Sequence, residues 1–75
     1  MSKLIIDAGK ALYGDRWQSA LARDLDVSDR TVRRWVAGDE DLSPGTAMDL
    51  WRLCEERAAD LDEIIPRLKR ASAPA

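Results

Sequence analysis

QSALARDLDVSDRTVRRWVAG, residues 18–38, is the stretch that decides the fold of this chain. Its pattern predicts two short helices joined by a tight turn. We expect the first helix to run from about 16 to 25 and the second from about 29 to 37, with residues 26–28 forming the turn. Ser28 favours the start of the second helix, because a serine hydroxyl can accept a hydrogen bond from an amide of the first turn.

Each of these two helices has one apolar side and one polar side. The apolar side of the first helix is predicted to consist of Trp17, Leu21, Ala22 and Leu25. On the second helix, one side holds Val32, Trp35 and Val36, and the other holds Arg30, Arg33, Arg34 and Ala37. Spacings of three and four residues are typical of amphipathic helices. The second helix therefore presents three arginines to solvent before Gly38 ends it.

Helical patterns also flank this stretch on both sides. Residues 3–13 carry apolar side chains at helical spacing, at Leu4, Ile5, Ala8, Ala11 and Leu12. Gly14 provides a stop. Asp15 stands three residues before Gln18, a spacing that favours a capping box at the start of the next helix. Ser43 followed by Pro44 predicts the start of a fourth and longer helix.

The fourth helix carries a continuous apolar stripe. Its members follow one another in steps of four and three residues: Ala47, Trp51, Cys54, Ala58, Leu61, Ile65 and Leu68. The first half, through Cys54, is predicted to close the core, which makes packing the expected role of Trp51 and Cys54. The mixed-charge run at residues 55–57 is interpreted as a solvated face.

The second half of the stripe extends beyond what so small a domain can cover, which indicates a partner surface. We expect a homodimer formed by a segment at about residues 58–70, with a heterodimer as the alternative. The predicted interface residues are Ala58, Leu61, Ile64, Ile65 and Leu68.

The end of the fourth helix is harder to predict. Pro66 lacks an amide hydrogen and crowds the carbonyl four residues earlier, so we expect a kink or a break near residues 62–65. Asp60 and Glu63 can cap a restarted last helix after such a break. The tail, residues 71–75, is expected to be disordered.

These patterns predict one all-α domain at residues 1–70, a compact helix-turn-helix bundle of four to five helices with a C-terminal dimerisation helix. The helix-turn-helix unit occupies residues 16–37. A chain of 75 residues buries only about 60–65% of its unfolded surface, so its core is small.

Composition excludes several classes of function. With one cysteine, Cys54, no disulfide can form within the chain, and without histidine a zinc site lacks its usual ligands. We find no Gly-rich phosphate loop and no nucleophile beside an obvious base, so we expect no enzyme activity, no cofactor, no metal and no small-molecule ligand. No apolar run approaches the roughly 20 residues of a membrane span, and the apolar residues near Met1 are too few for a signal peptide. We expect a cytoplasmic protein without membrane association.

The charge of the chain is unevenly distributed. The formal net charge is −2, but residues 1–38 hold seven basic and five acidic side chains, whereas residues 39–75 hold five and nine. Nucleic-acid binding needs a local positive patch rather than a high overall isoelectric point. The acidic half is expected to face away from such a ligand.

Residues 18–38 resemble the helix-turn-helix of phage-repressor and Cro-like regulators, the xenobiotic-response type. The matching positions are Gln18, Leu21, Ala22, Leu25, Val27, Val32 and Trp35. Two residues depart from the pattern. Asp26 stands where the family usually has a glycine with positive φ, and Asp29 puts a carboxylate at the exposed start of the recognition helix. We expect Asp29 to pair with Arg33 or to favour the helix N-terminus, rather than to contact a base.

The resemblance implies a sequence-specific regulator that binds double-stranded DNA through the major groove, most simply as a homodimeric repressor of its own operon on an inverted repeat. Arg30, Arg33 and Arg34 are the expected base and phosphate contacts. The further DNA-contact candidates are Gln18, Ser19, Ser28 and Thr31, which are expected to bond phosphates, and, at the reading edge, Asp29. The alternatives are a DNA-binding accessory protein, such as an excisionase, an antitoxin or a packaging subunit, and a protein-interaction module that uses the fold without DNA.

Overall fold

The helix boundaries follow the local signals closely. The computed structural model describes residues 2–74, and within this range the chain forms four helices: α1 Ser2–Tyr13, α2 Trp17–Leu25, α3 Asp29–Ala37 and α4 Pro44–Ser72. The all-α prediction is confirmed, with the helix count at the lower end of the predicted four to five.

Serine caps start α3 and α4, as their sequences predict. The hydroxyl oxygen of Ser28 accepts a hydrogen bond from the Thr31 amide at 3.1 Å. The hydroxyl oxygen of Ser43 accepts one from the Thr46 amide, also at 3.1 Å. Each hydroxyl therefore satisfies one of the amides that a helix start leaves without an intrahelical partner.

The predicted capping box of α2 is wrong. The residue that precedes α2 is Arg16, and no side chain accepts a hydrogen bond from the first-turn amides. Asp15 lies one residue too early in the observed helix to reach the amide that a cap would satisfy, because a side-chain cap works from the residue next to the first turn.

Two left-handed residues end the middle helices. Asp26 has φ 57° and ψ 46° after α2, and Gly38 has φ 82° after α3. Asp26 is the one non-glycine residue with positive φ among residues 2–74. The positive φ expected at this position is therefore confirmed.

The core lies where α1 crosses α2 and α3. Its buried residues are Ile5, Leu12, Trp17, Leu21, Ala22, Val32, Trp35 and Leu50. Gly9 of α1 is buried against the Trp17 ring, which occupies the space that a β-carbon at Gly9 would need. Trp17 is thus a core residue at 3% exposure, because α1 lacks a side chain at the point of closest approach.

The side of α4 that closes the core differs from the predicted one. Leu50 is its buried residue, with Leu53 and Cys54 half-buried beside it, whereas Trp51 is 64% exposed. The packing role predicted for Trp51 is therefore wrong. One residue corresponds to about 100° of helix rotation, so contact with α1 through Leu50 turns Trp51 outward.

Pro66 does not break α4, which continues as one helix of 29 residues from Pro44 to Ser72. Of the two predicted alternatives, the break with a restarted last helix is wrong, and the kink stays a prediction. Proline removes one hydrogen bond, to the carbonyl of Asp62, and both residues are exposed, so water can satisfy that carbonyl. The helix also extends two residues into the segment predicted to be disordered, and Ala75 lies outside the described residues.

The second half of α4 projects from the bundle. The radius of gyration is 15.3 Å, against about 11 Å for a compact domain of this length. The molecule measures 55 × 22 × 20 Å. From residue 58 to 74 no side chain is buried, and Ile64 is the one that is half-buried.

Candidate nucleic-acid interface

The turn between α2 and α3 is held by backbone hydrogen bonds. The Val27 amide donates to the Ala22 carbonyl at 2.9 Å, and the Asp26 amide donates to the Arg23 carbonyl at 3.2 Å. This closure is typical of a helix that ends in a left-handed residue. It lets α3 start after only three intervening residues, so that the two helices are positioned together.

Burial of one side of α3 determines which side faces solvent. Val32 and Trp35 are 0% and 6% exposed. Arg30, Arg33 and Arg34 are all exposed, and their spacing of three and four residues places them on one face. We call these three residues the arginine face of α3.

The positive charge of the arginine face is not neutralised by an ion pair with any described residue. None of its three side chains has a carboxylate of residues 2–74 within 4.0 Å. The expected pairing of Asp29 with Arg33 is therefore not formed. Asp29 is instead the first residue of α3, where a carboxylate interacts favourably with the helix dipole.

The start of α2 offers uncapped amides beside polar side chains. Gln18 and Ser19 are exposed in its first turn and line an open cleft of about 460 Å³ together with Asp15, Arg16 and Trp17. Because no side chain accepts from the first-turn amides, these groups are free to bind an anion from outside.

Ser28 and Thr31 contact each other at the start of α3. Their hydroxyl oxygens lie 3.0 Å apart, and Ser28 also accepts from the Thr31 amide. Ser28 is exposed and Thr31 is half-buried. Both are predicted phosphate ligands. A phosphate bound here would use hydroxyl groups that already bond to each other at the start of α3.

Tyr13, Asp24 and Arg57 form a cluster near the C-terminal end of α2 that was not predicted from the sequence. The Tyr13 hydroxyl of α1 donates to Asp24 Oδ2 of α2 at 2.6 Å. Arg57 of α4 donates to the Leu12 carbonyl at 3.0 Å and lies 5.7 Å from the centre of the Tyr13 ring. Arg57 is exposed, as predicted for a solvated face, but its guanidinium also anchors α4 to the end of α1.

Partial burial, followed by the hydrogen bond to Asp24, raises the pKa of Tyr13 to about 12. The cluster links α1 and α4 to α2, the helix that carries Gln18 and Ser19. No sequence signal could have found it, since the bonded residues are 11 and 45 positions apart.

The five predicted dimer residues lie on the projecting half of α4. Leu61, Ile65 and Leu68 are 51%, 43% and 60% exposed. Ala58 is exposed and Ile64 is half-buried. The apolar side chains are thus accessible to a partner.

Comparison with known proteins identifies no relative: no protein family, curated protein or solved structure matches this chain. Within the described range, no helix has the length and apolarity that crossing a membrane requires. Residues 2–74 also contain no group of three or more side chains suited to hold a metal ion.

Proposed function

We propose that this protein binds double-stranded DNA through the major groove, with α3 as the recognition helix. The observation that carries the proposal is the arginine face of α3, which combines three exposed guanidinium groups with no counter-ion among residues 2–74. A solvated structural face would gain from neighbouring carboxylates. Here the charge is left for an external anion, on a helix whose opposite side is rigidly buried.

The second support is the start of α2. Its uncapped amides and the exposed Gln18 and Ser19 form a site suited to a backbone phosphate. Phosphate contacts of this kind set the register of a protein on the duplex, while arginines read guanine O6 and N7 with both arms. In this proposal the start of α2 positions the protein on the duplex, and the arginine face of α3 reads the bases.

We further propose that the protein acts as a homodimeric repressor. The exposed apolar residues of α4 supply a surface for a second copy, and a two-fold dimer presents two copies of α3 to an inverted repeat. Half-sites spaced one helical turn, about 34 Å, apart suit this arrangement. Autorepression requires such a repeat near the promoter of its own gene.

Selection of bound sites from random duplex DNA tests the proposal. We expect enrichment of related sites that form spaced inverted repeats with guanines in each half-site. Arg33→Glu should lower affinity for the selected site at least about tenfold, since one bidentate guanine contact contributes roughly 1–3 kcal/mol.

Lys3→Glu is the matched control for Arg33→Glu. It makes the same change in net charge on α1, outside the proposed DNA contacts and the dimer surface, where Lys3 pairs with Asp7 at 3.3 Å. We expect DNA affinity within about twofold of wild type, with helix content unchanged in both variants. Equal losses in the two variants would indicate a nonspecific charge effect, and a folded wild type that binds no DNA would contradict the proposal.

A further inference from the structure

An apolar groove lies between α1, the loop before α4 and the first turns of α4. It has a volume of about 260 Å³ and an entirely apolar wall, formed by Leu4, Ala8, Leu42, Ala47, Trp51 and Cys54 above the buried Leu50. Three of its wall residues are exposed: the small Ala47, Leu4 at 57% and Trp51 at 64%. The Trp51 indole is held by a hydrogen bond from Nε1 to Glu55 Oε1 at 3.0 Å. We call this the Trp51 groove.

The Trp51 groove and the exposed apolar residues farther along α4 belong to one stripe. The stripe runs for 21 residue steps from Ala47 to Leu68, about 32 Å of helix. Its centre is at Ala58, an exposed small residue followed by another, Ala59. Reversal of the stripe about Ala58 places residue 65 opposite 51, and it places residue 61 within one residue of the position opposite 54. The stripe is therefore self-complementary for an antiparallel partner with the same sequence.

The charges at the two ends of α4 also complement each other. Asp39 and Glu40 are exposed in the loop that leads through Leu42 into the groove. Lys69 and Arg70 lie in the last turns of α4, beside the exposed Leu68. In an antiparallel pair the acidic end of each copy meets the basic end of the other, and the helix dipoles oppose each other favourably.

We infer that the Trp51 groove is the docking site for the C-terminal turns of α4 from a second copy of this chain, in a reciprocal antiparallel dimer that crosses near Ala58. Each copy then covers its partner's groove with Leu61, Ile65 and Leu68. This inference deepens the homodimer of the proposed function and extends its interface from the projecting half of α4 to the bundle itself. It accounts for the exposure of Trp51, since the residue faces the partner rather than the core.

The oligomeric state of the full chain provides the first test. Sedimentation at tens of micromolar should give a dimer, and dilution should shift tryptophan emission to longer wavelength. That shift reports Trp51, because Trp17 and Trp35 are 3% and 6% exposed in each copy. A strict monomer, or a dimer whose dissociation leaves the emission unchanged, overturns the inference.

Two adjacent alanines give a matched pair of variants. Ala58→Glu places two carboxylates together at the crossing and should raise the dimer dissociation constant at least about tenfold. Ala59→Glu makes the same change about 100° around the helix, away from the stripe, and should leave dimerisation within about twofold of wild type. Both alanines are exposed, so both variants should keep the helix content of the parent. Equal effects of the two substitutions overturn the inference.

Disulfide cross-linking tests the direction of the helices. Cys54 is the single cysteine of the chain, so Leu61→Cys adds one partner for it. The antiparallel arrangement predicts a covalent dimer with links between Cys54 of one copy and the introduced thiol of the other. A parallel pair would instead link like positions, Cys54 to Cys54, and would overturn the inference. Because none of these measurements involves DNA, their failure is distinct from failure of the DNA-binding proposal, which site selection tests separately.

Discussion

At the scale of single residues, Asp26 carries the least favourable backbone position of the described chain. Its φ of 57° lies in the left-handed region, where a β-carbon crowds the following carbonyl. Asp tolerates this region better than most residues, so the turn forms, but at some cost in stability.

Asp26→Gly should therefore stabilise the protein, by up to about 1 kcal/mol in the free energy of unfolding, because glycine has no β-carbon to crowd. Gly38→Ala is the control in the opposite direction, since it adds a β-carbon at another left-handed helix end. Gly38 has φ 82° with open space around it, so an added methyl group should cost about 1 kcal/mol through the backbone alone. Urea unfolding measures both, and a loss of stability in Asp26→Gly would contradict this explanation.

Tyr13 is a second residue whose environment is measurable in isolation. It is the single tyrosine of the chain, so the ultraviolet absorbance of the phenolate reports this one group. The midpoint of this titration, the pKa of Tyr13, should lie near 12 rather than 10.0, because burial and the hydrogen bond to Asp24 both favour the neutral phenol. Asp24→Asn should lower the midpoint part of the way, since burial, the larger cause, remains.

The raised pKa of Tyr13 also has a consequence for stability. The folded state holds the phenolic proton more tightly than the unfolded state, whose pKa is near 10.0. The resulting stabilisation is fully present below pH 10 and is lost as pH rises through about 12. Replacement by Phe should remove this part of the alkaline decline, and an unchanged decline in Tyr13→Phe would count against it.

At the scale of the elements, α3 and α4 begin with the same device. Ser28 and Ser43 each accept an amide hydrogen bond at 3.1 Å, and each hydroxyl lies 3.0 Å from that of the threonine three residues later. The two caps thus make the same hydrogen bonds. Ser28 starts α3, the proposed recognition helix, whereas Ser43 starts α4, which has no proposed DNA contact.

This match separates stability from DNA binding. Ser28→Ala and Ser43→Ala should each cost about 1 kcal/mol of folding stability. In addition, Ser28→Ala should weaken DNA binding severalfold, because it loosens the start of α3 and removes a predicted phosphate ligand. Thermal unfolding and titration with the selected duplex measure the two effects. An equal loss of DNA affinity in both variants would remove the proposed role of Ser28.

Among the elements, α4 also tolerates a proline, Pro66, in its interior. Pro66 lies in the exposed half, where water replaces the one lost hydrogen bond. A proline at the buried part of α4 near Leu50 would have no such compensation. Prediction of the break failed because the sequence pattern does not say which part of a helix is solvated.

At the scale of the whole molecule, charge is separated along the chain. The arginine face and the start of α2 belong to the net positive half, residues 1–38, and α4 belongs to the net negative half. DNA binding by the basic side alone should release counterions in proportion to the phosphates that the protein neutralises.

Affinity for the selected duplex should therefore fall steeply with salt. If a dimer neutralises about 6–10 phosphates, the slope of log affinity against log salt concentration should be about −0.9 for each phosphate. Ala58→Glu, which is expected to impair dimerisation, should give a smaller slope at the same protein concentration. A salt-insensitive association would indicate that the partner of α3 is a protein rather than DNA.

Much of the fold could be predicted from particular residues. Ser28, Ser43 and Gly38 mark helix ends through contacts with residues at most four positions away. Val32 and Trp35 identify the buried side of α3 through periodicity alone. The positive φ of Asp26 followed from the resemblance of residues 18–38 to the phage-repressor type of helix-turn-helix. These features are local, so the order of the residues is enough to define them.

The tertiary structure alone decided how α4 meets the bundle. The sequence by itself determined an all-α fold of four to five helices and an arginine face on α3, because helical periodicity and capping depend on near neighbours. It did not determine that Leu50 rather than Trp51 faces α1, that Arg57 binds the Leu12 carbonyl, or that the start of α2 is uncapped. The rotation of α4 about its axis depends on packing against residues some 40 positions away, and that rotation turns one side of a continuous apolar stripe into an open groove.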